Sequence, residues 1–462
     1  MPFAGHAARS ALMAGIVDAG HFVFNRDCRD IRKTGQVKRA GSRSGIGTSL
    51  SLAIPKYPER IAVINPIPYA PADITRAAGN QVPPASFVRE LNIDGMLERL
   101  LTNDASFTRI EVDVRALATN PVIVETDVIK LAQALGKNRY LTELHLRANN
   151  IGDIGAKALA QALEQNSSLR MLDLQYNQIS KAGVRDLALA LTRNNTLSAL
   201  YLSANQLGQA GARDLANALA RQDSLTCICL SDTAINSHDL AALAKALKLN
   251  KRLAHLHLSL NPLGSQNAHV LADALEHNAS LSELNLYGTE LCAQGVQTLA
   301  RGLKWNIGLR RLDLGHNPIG DTAAADLADV LRSNKHLTML SLWDCGLGEP
   351  TASALASALT HNTSLTTLNL GQNKLGDSAA RMLADALRQN SSLTDLNLRN
   401  CSISETGWQA LTDAQRENTR LTLLGATIMP SFSAWTPPSR PHYGATGQQP
   451  ATQRRVSGGQ LA

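Results

Sequence analysis

Two cysteines and two histidines are the first residues of this 462-residue chain whose types and spacing could do chemistry. Cys227 and Cys229 stand two apart, and His255 and His257 repeat that spacing 28 residues later. Two thiols and two imidazoles form a known zinc set, with ligand bonds of ~2.0–2.3 Å. If the pairs lie on neighbouring strands, all four side chains project from one face, ~7 Å apart along each strand and ~4.8 Å across. A four-cornered patch on a flat sheet is awkward for tetrahedral closure, and only ligand identity and count fit. The plainer expectation is therefore four polar or weakly apolar surface residues, with no metal and no other cofactor. HExxH, GxSxG and GxxxxGK[ST] occur nowhere in the chain. The glycine-rich Gly41-Ser42-Arg43-Ser44-Gly45-Ile46-Gly47 has the wrong spacing for a phosphate loop and no strand before it. The chain is expected not to be an enzyme.

The elements that position the Cys/His set belong to a repeat. A leucine recurs every 28 residues from Leu141 to Leu421, which marks ten full units and the start of another. Positions are counted from that leucine, taken as 0. Position 5 is leucine in all ten units, and position 3 in nine, with Ile228 the exception. Because strand side chains alternate, positions 3 and 5 face one way and positions 2, 4 and 6 the other. Further on the period changes. Leucine holds position 18 in all ten units and position 22 in nine, with alanine at position 19 in nine, which is the apolar stripe of a helix. Each unit thus reads as strand, turn, helix, turn.

The turns carry their own chemistry. Asp153, Ser237, Ser265, Asp321 and Asp377 at position 12 are expected to cap the helices they precede. Asparagine fills position 25 in nine units, from Asn166 to Asn418, where a left-handed residue is expected to close the helix. This turn also accounts for five of the Asn-x-Ser/Thr sequons, at Asn166, Asn194, Asn278, Asn362 and Asn390, so they are not read as glycosylation sites. Position 8 carries asparagine, threonine or cysteine, from Asn149 to Cys401, and these side chains are expected to satisfy backbone groups in the buried turn after the strand.

This LxxLxLxxN/C pattern resembles that of leucine-rich repeats, and the 28-residue length with an alanine-rich LAxAL helix resembles the ribonuclease-inhibitor-like subfamily. Related repeats occur in NLR immune receptors and Ran GTPase-activating proteins. The tract Gly155-Ala156-Lys157-Ala158-Leu159-Ala160 also resembles the GALA-type type III effectors of plant-pathogenic bacteria, whose repeats are shorter. The implied fold is an α/β solenoid, a horseshoe with parallel strands on the concave face and helices on the convex face. Packing agrees, since strands stack ~4.8 Å apart and helices need ~10 Å. No unit buries its leucines alone, so the ends need caps. Phe107, Ile110 and Val112 match the strand, and Leu131 to Leu135 with Asn138 match the helix, of a 34-residue variant unit. Leu97 and Leu101 indicate a capping helix near 86–103. The expected organisation is a disordered basic arm (1–85), capping helix and variant unit (86–140), ten units with a capping strand (141–429) and a disordered tail (430–462). About twelve strands should form one parallel ladder.

Charge is concentrated at the ends. Of the net +7, residues 1–140 carry +5 and 421–462 carry +3, while 141–420 sum to −1. The array has no basic surplus for phosphate contact, so no nucleic-acid partner is expected. No apolar run approaches 18 residues, so no membrane span is expected. Six cysteines do not make a disulfide scaffold, which points to a reduced, intracellular monomer. In the N-terminal arm, Ala4, Ser10 and the lack of an acidic residue before Asp18 resemble a bacterial type III secretion signal.

The variable strand positions hold the candidate interface. Position 4 includes Asp173, Tyr201, Cys229, His257 and Asp313, and position 6 includes Arg147, Tyr287, Trp343 and Arg399. Aromatics are 4% of the chain, and interface anchors are enriched in Trp, Tyr and Arg. Tyr201, Tyr287, Trp343, His257, Asp313, Arg147 and Arg399 are the candidate partner-binding residues, the three aromatics being expected to stand exposed. The expected function is a non-enzymatic protein-binding scaffold, a bacterial effector acting on host proteins whose identity the residues do not give. The alternatives are a GTPase activator of the Ran type, whose acidic tail is absent here, and a ubiquitin-ligase substrate adaptor, for which 86–106 shows no F-box pattern. No P-loop precedes the repeats, which argues against an NLR sensor.

Overall fold

The structure is a computed structural model that describes residues 93–112 and 123–424. Every described residue belongs to one unit of the chain, within Pro84–Ala462. The basic arm and its proposed signal, the tail, residues 86–92 of the expected capping helix and residues 425–429 of the expected array lie outside the described residues.

Helix α1 (Ile93–Leu101) is followed by twelve strands and eleven further helices. The strands are β1 (Arg109–Glu111), β2 (Glu143–His145), β3 (Met171–Asp173), β4 (Ala199–Tyr201), β5 (Cys227–Cys229), β6 (His255–His257), β7 (Glu283–Asn285), β8 (Arg311–Asp313), β9 (Met339–Ser341), β10 (Thr367–Asn369), β11 (Asp395–Asn397) and β12 (Leu423–Leu424). The helices between them are α2 (Glu125–Lys137), α3 (Asp153–Gln165), α4 (Lys181–Leu191), α5 (Gly208–Leu219), α6 (Ser237–Leu249), α7 (Ala268–His277), α8 (Ala293–Trp305), α9 (Ala324–Ser333), α10 (Glu349–Leu359), α11 (Gly376–Gln389) and α12 (Glu405–Glu417). All twelve strands pair in parallel and in sequence order within one sheet. The register advances by one whole unit per strand, so that Leu200 pairs with Ile228 and Ile228 with Leu256. One hydrophobic cluster runs from Met96 to Leu421, built from the leucines of the strands and the Leu/Ala stripe of the helices. The capping helix differs in phase from expectation. Met96 and Leu100 are its buried residues, whereas Leu101 is 60% exposed.

The turns depart from the expected chemistry in three ways. Position-25 asparagines are not left-handed: Asn166 has φ −82° and ψ 134°, and Asn250 has φ −74° and ψ 128°. Their side chains act instead. The Asn250 amide nitrogen donates to Leu219 O (2.7 Å) and Gln222 O (2.9 Å) of the preceding unit. Its Oδ1 accepts from Arg252 N (2.8 Å) and Leu253 N (2.7 Å). Left-handed residues lie instead at position 7, three residues past the end of the strand, and in some units at position 9 (Asn150, Glu290); at position 7, Tyr176 (φ 56°), His316 (54°) and Asp344 (52°) occupy a region that costs a non-glycine residue about 1 kcal/mol. The ladder compensates, because position-7 N–H groups donate into the next unit, as His316 N does to Trp343 O at 2.7 Å. Thirdly, the position-12 residues do not cap their own helices. The Asp153 carboxylate, on the first residue of α3, accepts from Ser180 N (2.8 Å) and Gly183 N (2.9 Å) at the start of α4. Asp321 does the same for Gly348 N (2.9 Å) ahead of α10, and Asp377 for Ser404 N (2.7 Å) ahead of α12. Gly183 permits that approach, since a Cβ there would lie 2.7 Å from Asp153 Oδ1.

Position 8 behaves as expected. Asn177 donates to Leu146 O and Leu174 O (both 2.9 Å) and accepts from Asn149 N and Ile151 N (both 3.0 Å). Thr233 and Cys345 substitute a hydroxyl and a thiol, donating to Leu230 O (2.7 Å) and Leu314 O (3.2 Å).

Truncating a position-25 amide strips four backbone groups of their partner at once, three of them buried in the case of Asn250. Asn250→Ala is expected to lower the unfolding free energy by about 3 kcal/mol, measured by urea denaturation of the full chain. A loss indistinguishable from that of a surface substitution such as Lys157→Ala would refute the structural role given to the amide.

Candidate partner-binding face

With register advancing one unit per strand, residues 28 apart become neighbours across the sheet, and the face at positions 2, 4 and 6 divides into four stretches.

The first is ionic. Arg109 Nη1 lies 3.0 Å from Glu143 Oε2, and His145 lies between Glu143 (3.4 Å) and Asp173 (3.8 Å). Burial pushes the His145 pKa down, but hydrogen bonds to Asp173 and Glu143 outweigh it and raise the pKa to about 9. Arg147, a candidate contact residue, places its guanidinium 4.5 Å over the Tyr176 ring.

The second stretch overturns an expectation. Tyr201 is only 6% exposed and packs with Met171, Ala199, Cys227 and Cys229 in a small cluster separate from the main core. Met171 and the two cysteines on the adjacent strands, and Ala199 on the same strand, flank the ring, so its apolar face is already covered. Burial and the neighbouring cysteines push its phenol pKa well up.

In the third stretch the sulfur and imidazole residues are adjacent, as the spacing implied, but a carboxylate organises them. Cys229 Sγ is 3.3 Å from His257 Nδ1, and His257 Nε2 is 3.0 Å from Glu283 Oε1. His255 Nδ1 approaches Glu283 Oε2 at 3.5 Å, and Arg311 Nε approaches it at 3.3 Å. Burial raises the Glu283 pKa, yet hydrogen bonds to both histidines and the charges of His257 and Arg311 bring it to about 2. The Cys229 thiol pKa is raised by its hydrogen bond with Cys227 and by burial. Among the described residues, no group of three or more His, Cys, Asp or Glu has an arrangement that could hold a metal ion. Glu283 lies at position 2, and the Cys/His spacing alone did not point to it.

The fourth stretch is aromatic. Tyr287 and Trp343 are half-buried on either side of Gly315, with ring centroids 6.1 Å apart and planes at 25°. His316 stacks on Tyr287 at 5.4 Å and 15°, and lies 6.4 Å from Trp343. His316 Nδ1 meets Asp344 Oδ2 at 2.7 Å, an interaction that raises the imidazole pKa against the opposing effect of burial. Asp313 is buried, accepts from Gly315 N at 2.9 Å, and has its pKa raised by desolvation. Its carboxylate therefore supports the strand exit. Arg399 is exposed two strands beyond Trp343. His316 and Asp344 sit at position 7, in the turn, and were not among the residues singled out. Their shared position in consecutive units was the available signal.

A pKa raised in the folded chain means that folding binds the proton more tightly, so the stabilisation from His145 is complete below its unfolded value of about 6.5 and is lost as pH rises through about 9. Comparing urea midpoints of wild type and His145→Gln, the difference should be largest near pH ~6 and shrink by pH ~9.5. A pH-independent difference would count against the His145–Asp173–Glu143 network.

Residues 89–226 match the family described as the TMOD/LMOD leucine-rich domain, and residues 306–328, 361–384 and 389–411 match the leucine-rich repeat. No curated protein matches the chain. Among solved structures, actin-binding site 2 of leiomodin-1 is 22% identical, covering 33% of this chain and 86% of its own, with a TM-score of 0.30. The tropomodulin C-terminal domain of Caenorhabditis elegans is 16% identical, covering 34% and 92%, with a TM-score of 0.30. The Rad7 and Elc1 complex of yeast contains a chain 18% identical, covering 72% and 84%, with a TM-score of 0.45. With its single parallel ladder, helix-backed leucine core and matched repeat stretches, the described array is a leucine-rich-repeat solenoid of the ribonuclease-inhibitor-like pattern.

Proposed function

We propose that this chain is a non-enzymatic protein-binding scaffold that engages its partner on the strand face, centred on Tyr287 and Trp343. The observation that carries this reading is the half-buried aromatic stack at the strand exits of β7 to β9, in a chain with 4% aromatic residues. Rings already held by their neighbours can bury large area at low entropic cost. Elsewhere the face is committed to itself: Glu143, His145 and Asp173 pair with one another, as do Glu283, His257 and Arg311. Tyr201 leaves the set of anchors because it is buried. Arg399, exposed on the flank, is suited to steering, whereas Arg147 is half-buried and already stacked on Tyr176.

The finer reading is a bacterial effector delivered by a type III system into host cytoplasm, where it acts as a monomer on a host protein. Its support is the sequence of the first 85 residues, with Ala4, Ser10 and no acidic residue before Asp18. Fusing residues 1–85 to a translocation reporter tests delivery, and a fusion that stays in the bacterium removes that reading.

For the interface, Tyr287→Ala and Trp343→Ala are each expected to cost about 2 kcal/mol of affinity for a partner isolated on the full chain, whereas Lys157→Ala and Arg381→Ala on the helix side should leave it within error. Equal losses on both sides, or loss only on the helix side, would place the interface elsewhere.

A further inference from the structure

The aromatic stack has a directional chemistry that the rest of the face lacks. Two glycines let the rings lie down on the sheet. A Cβ at Gly315 would come within 3.0 Å of Tyr287 Cδ2, and one at Gly371 within 3.0 Å of Trp343 Cδ1. The rings thus form a platform whose faces carry electron density. A carboxylate stands at its edge: Asp344 is 43% exposed at its side chain and uses Oδ2 to hold His316. The buried Asp313 lies in the strand between the two rings. Burial, with the nearby Asp313 and Asp344 carboxylates adding to it, pushes the Tyr287 phenol up to about 12.

The chain fills comparable aromatic faces with its own guanidinium groups. Arg99 lies 4.3 Å over Phe107. Arg147 lies 4.5 Å over Tyr176, and those two residues hold positions 6 and 7 of consecutive units, the same pair of positions that Tyr287 and His316 hold five units further along the array. Among the described residues, no guanidinium lies over Tyr287 or Trp343. Building on the strand-face reading above, we infer that this stretch takes an arginine side chain of a protein partner, the guanidinium stacking on the Tyr287–Trp343 platform and pairing with Asp344. Arginine suits the site better than lysine. Its planar group stacks on a ring and forks onto a carboxylate, whereas an ammonium is a compact, strongly hydrated point charge.

The test uses the full chain and a fluorescein-labelled peptide carrying three arginines spaced by glycine and serine, read by anisotropy. Matched peptides replace the arginines with lysine, citrulline or glutamate. The arginine peptide should bind about fivefold more tightly than the lysine peptide, and Trp343→Leu should weaken it by about fivefold. Asp344→Asn, which preserves shape, should weaken it by about threefold. Thermal melting of both variants confirms that they fold. Equal binding of the arginine and citrulline peptides, tighter binding of the glutamate peptide, or indifference to both substitutions would overturn the inference. If Trp343→Leu weakens an isolated partner while arginine and lysine peptides bind alike, the arginine site falls and the strand-face interface stands. If Trp343→Leu and Tyr287→Ala affect neither peptide nor partner, both fall.

Discussion

The buried turns on either side of each helix leave carbonyl and N–H groups that no regular element can reach, and in most units of this array a primary amide meets them across the unit boundary. Asn250 ties the end of α5 to the approach of β6, and Asn177 ties the exits of β2 and β3 together. A buried amide with all its bonds made has one allowed location relative to both units. The repeat length is therefore held constant, the strands stay in register, and the leucines of one unit meet those of the next. Gln222, the single departure at position 25, still accepts from Leu225 N at 3.0 Å through a longer side chain. The position-12 carboxylates add a third tie on the helix side, since Asp153, Asp321 and Asp377 each cap the helix of the following unit.

Fixed register governs the chemistry of the strand face as well. Residues 28 apart are brought side by side, so each side chain is judged by its equivalents in the units before and after. Glu283 sits beside His255 and Arg311 and becomes a hub that holds both histidines. Tyr201 sits beside Asp173 and Cys229 and is covered. Tyr287 and Trp343 have glycine as their neighbour at position 6, so they tilt across the gap and meet each other. The same residue type is thus core-like at one point of the ladder and available at another, according to what the adjacent units supply.

That distribution suits an interface with a narrow centre. Most charges on the face are spent within it, and the leucine core leaves no freedom behind it. A partner engaging the face as proposed would meet a surface on which one aromatic and acidic stretch is still open to contact, with little ordering cost on this side of the interface.

Much of this was legible in the amino-acid order alone. The 28-residue interval, the two periods within it and the position-8 hydrogen-bonding residues were enough for the α/β solenoid, its strand ladder and the leucine core, because these depend on local alternation and on repetition. They also placed Cys227, Cys229, His255 and His257 as neighbours. What required the tertiary structure was every decision made between units. The left-handed residue was expected at the position-25 asparagines, whereas left-handed residues lie at position 7 and in some units at position 9, where position-7 N–H groups donate into the ladder. The position-12 carboxylates looked like caps of their own helices and serve the next one, because the nearest free N–H groups belong to it. Tyr201 and Tyr287 look alike as aromatic residues on the same strand face, and only their lateral neighbours, set by parallel pairing, bury the first and leave the second beside Trp343 and Asp344. A side chain's identity is written locally, but its burial and charge environment are sums over residues one unit away on either side.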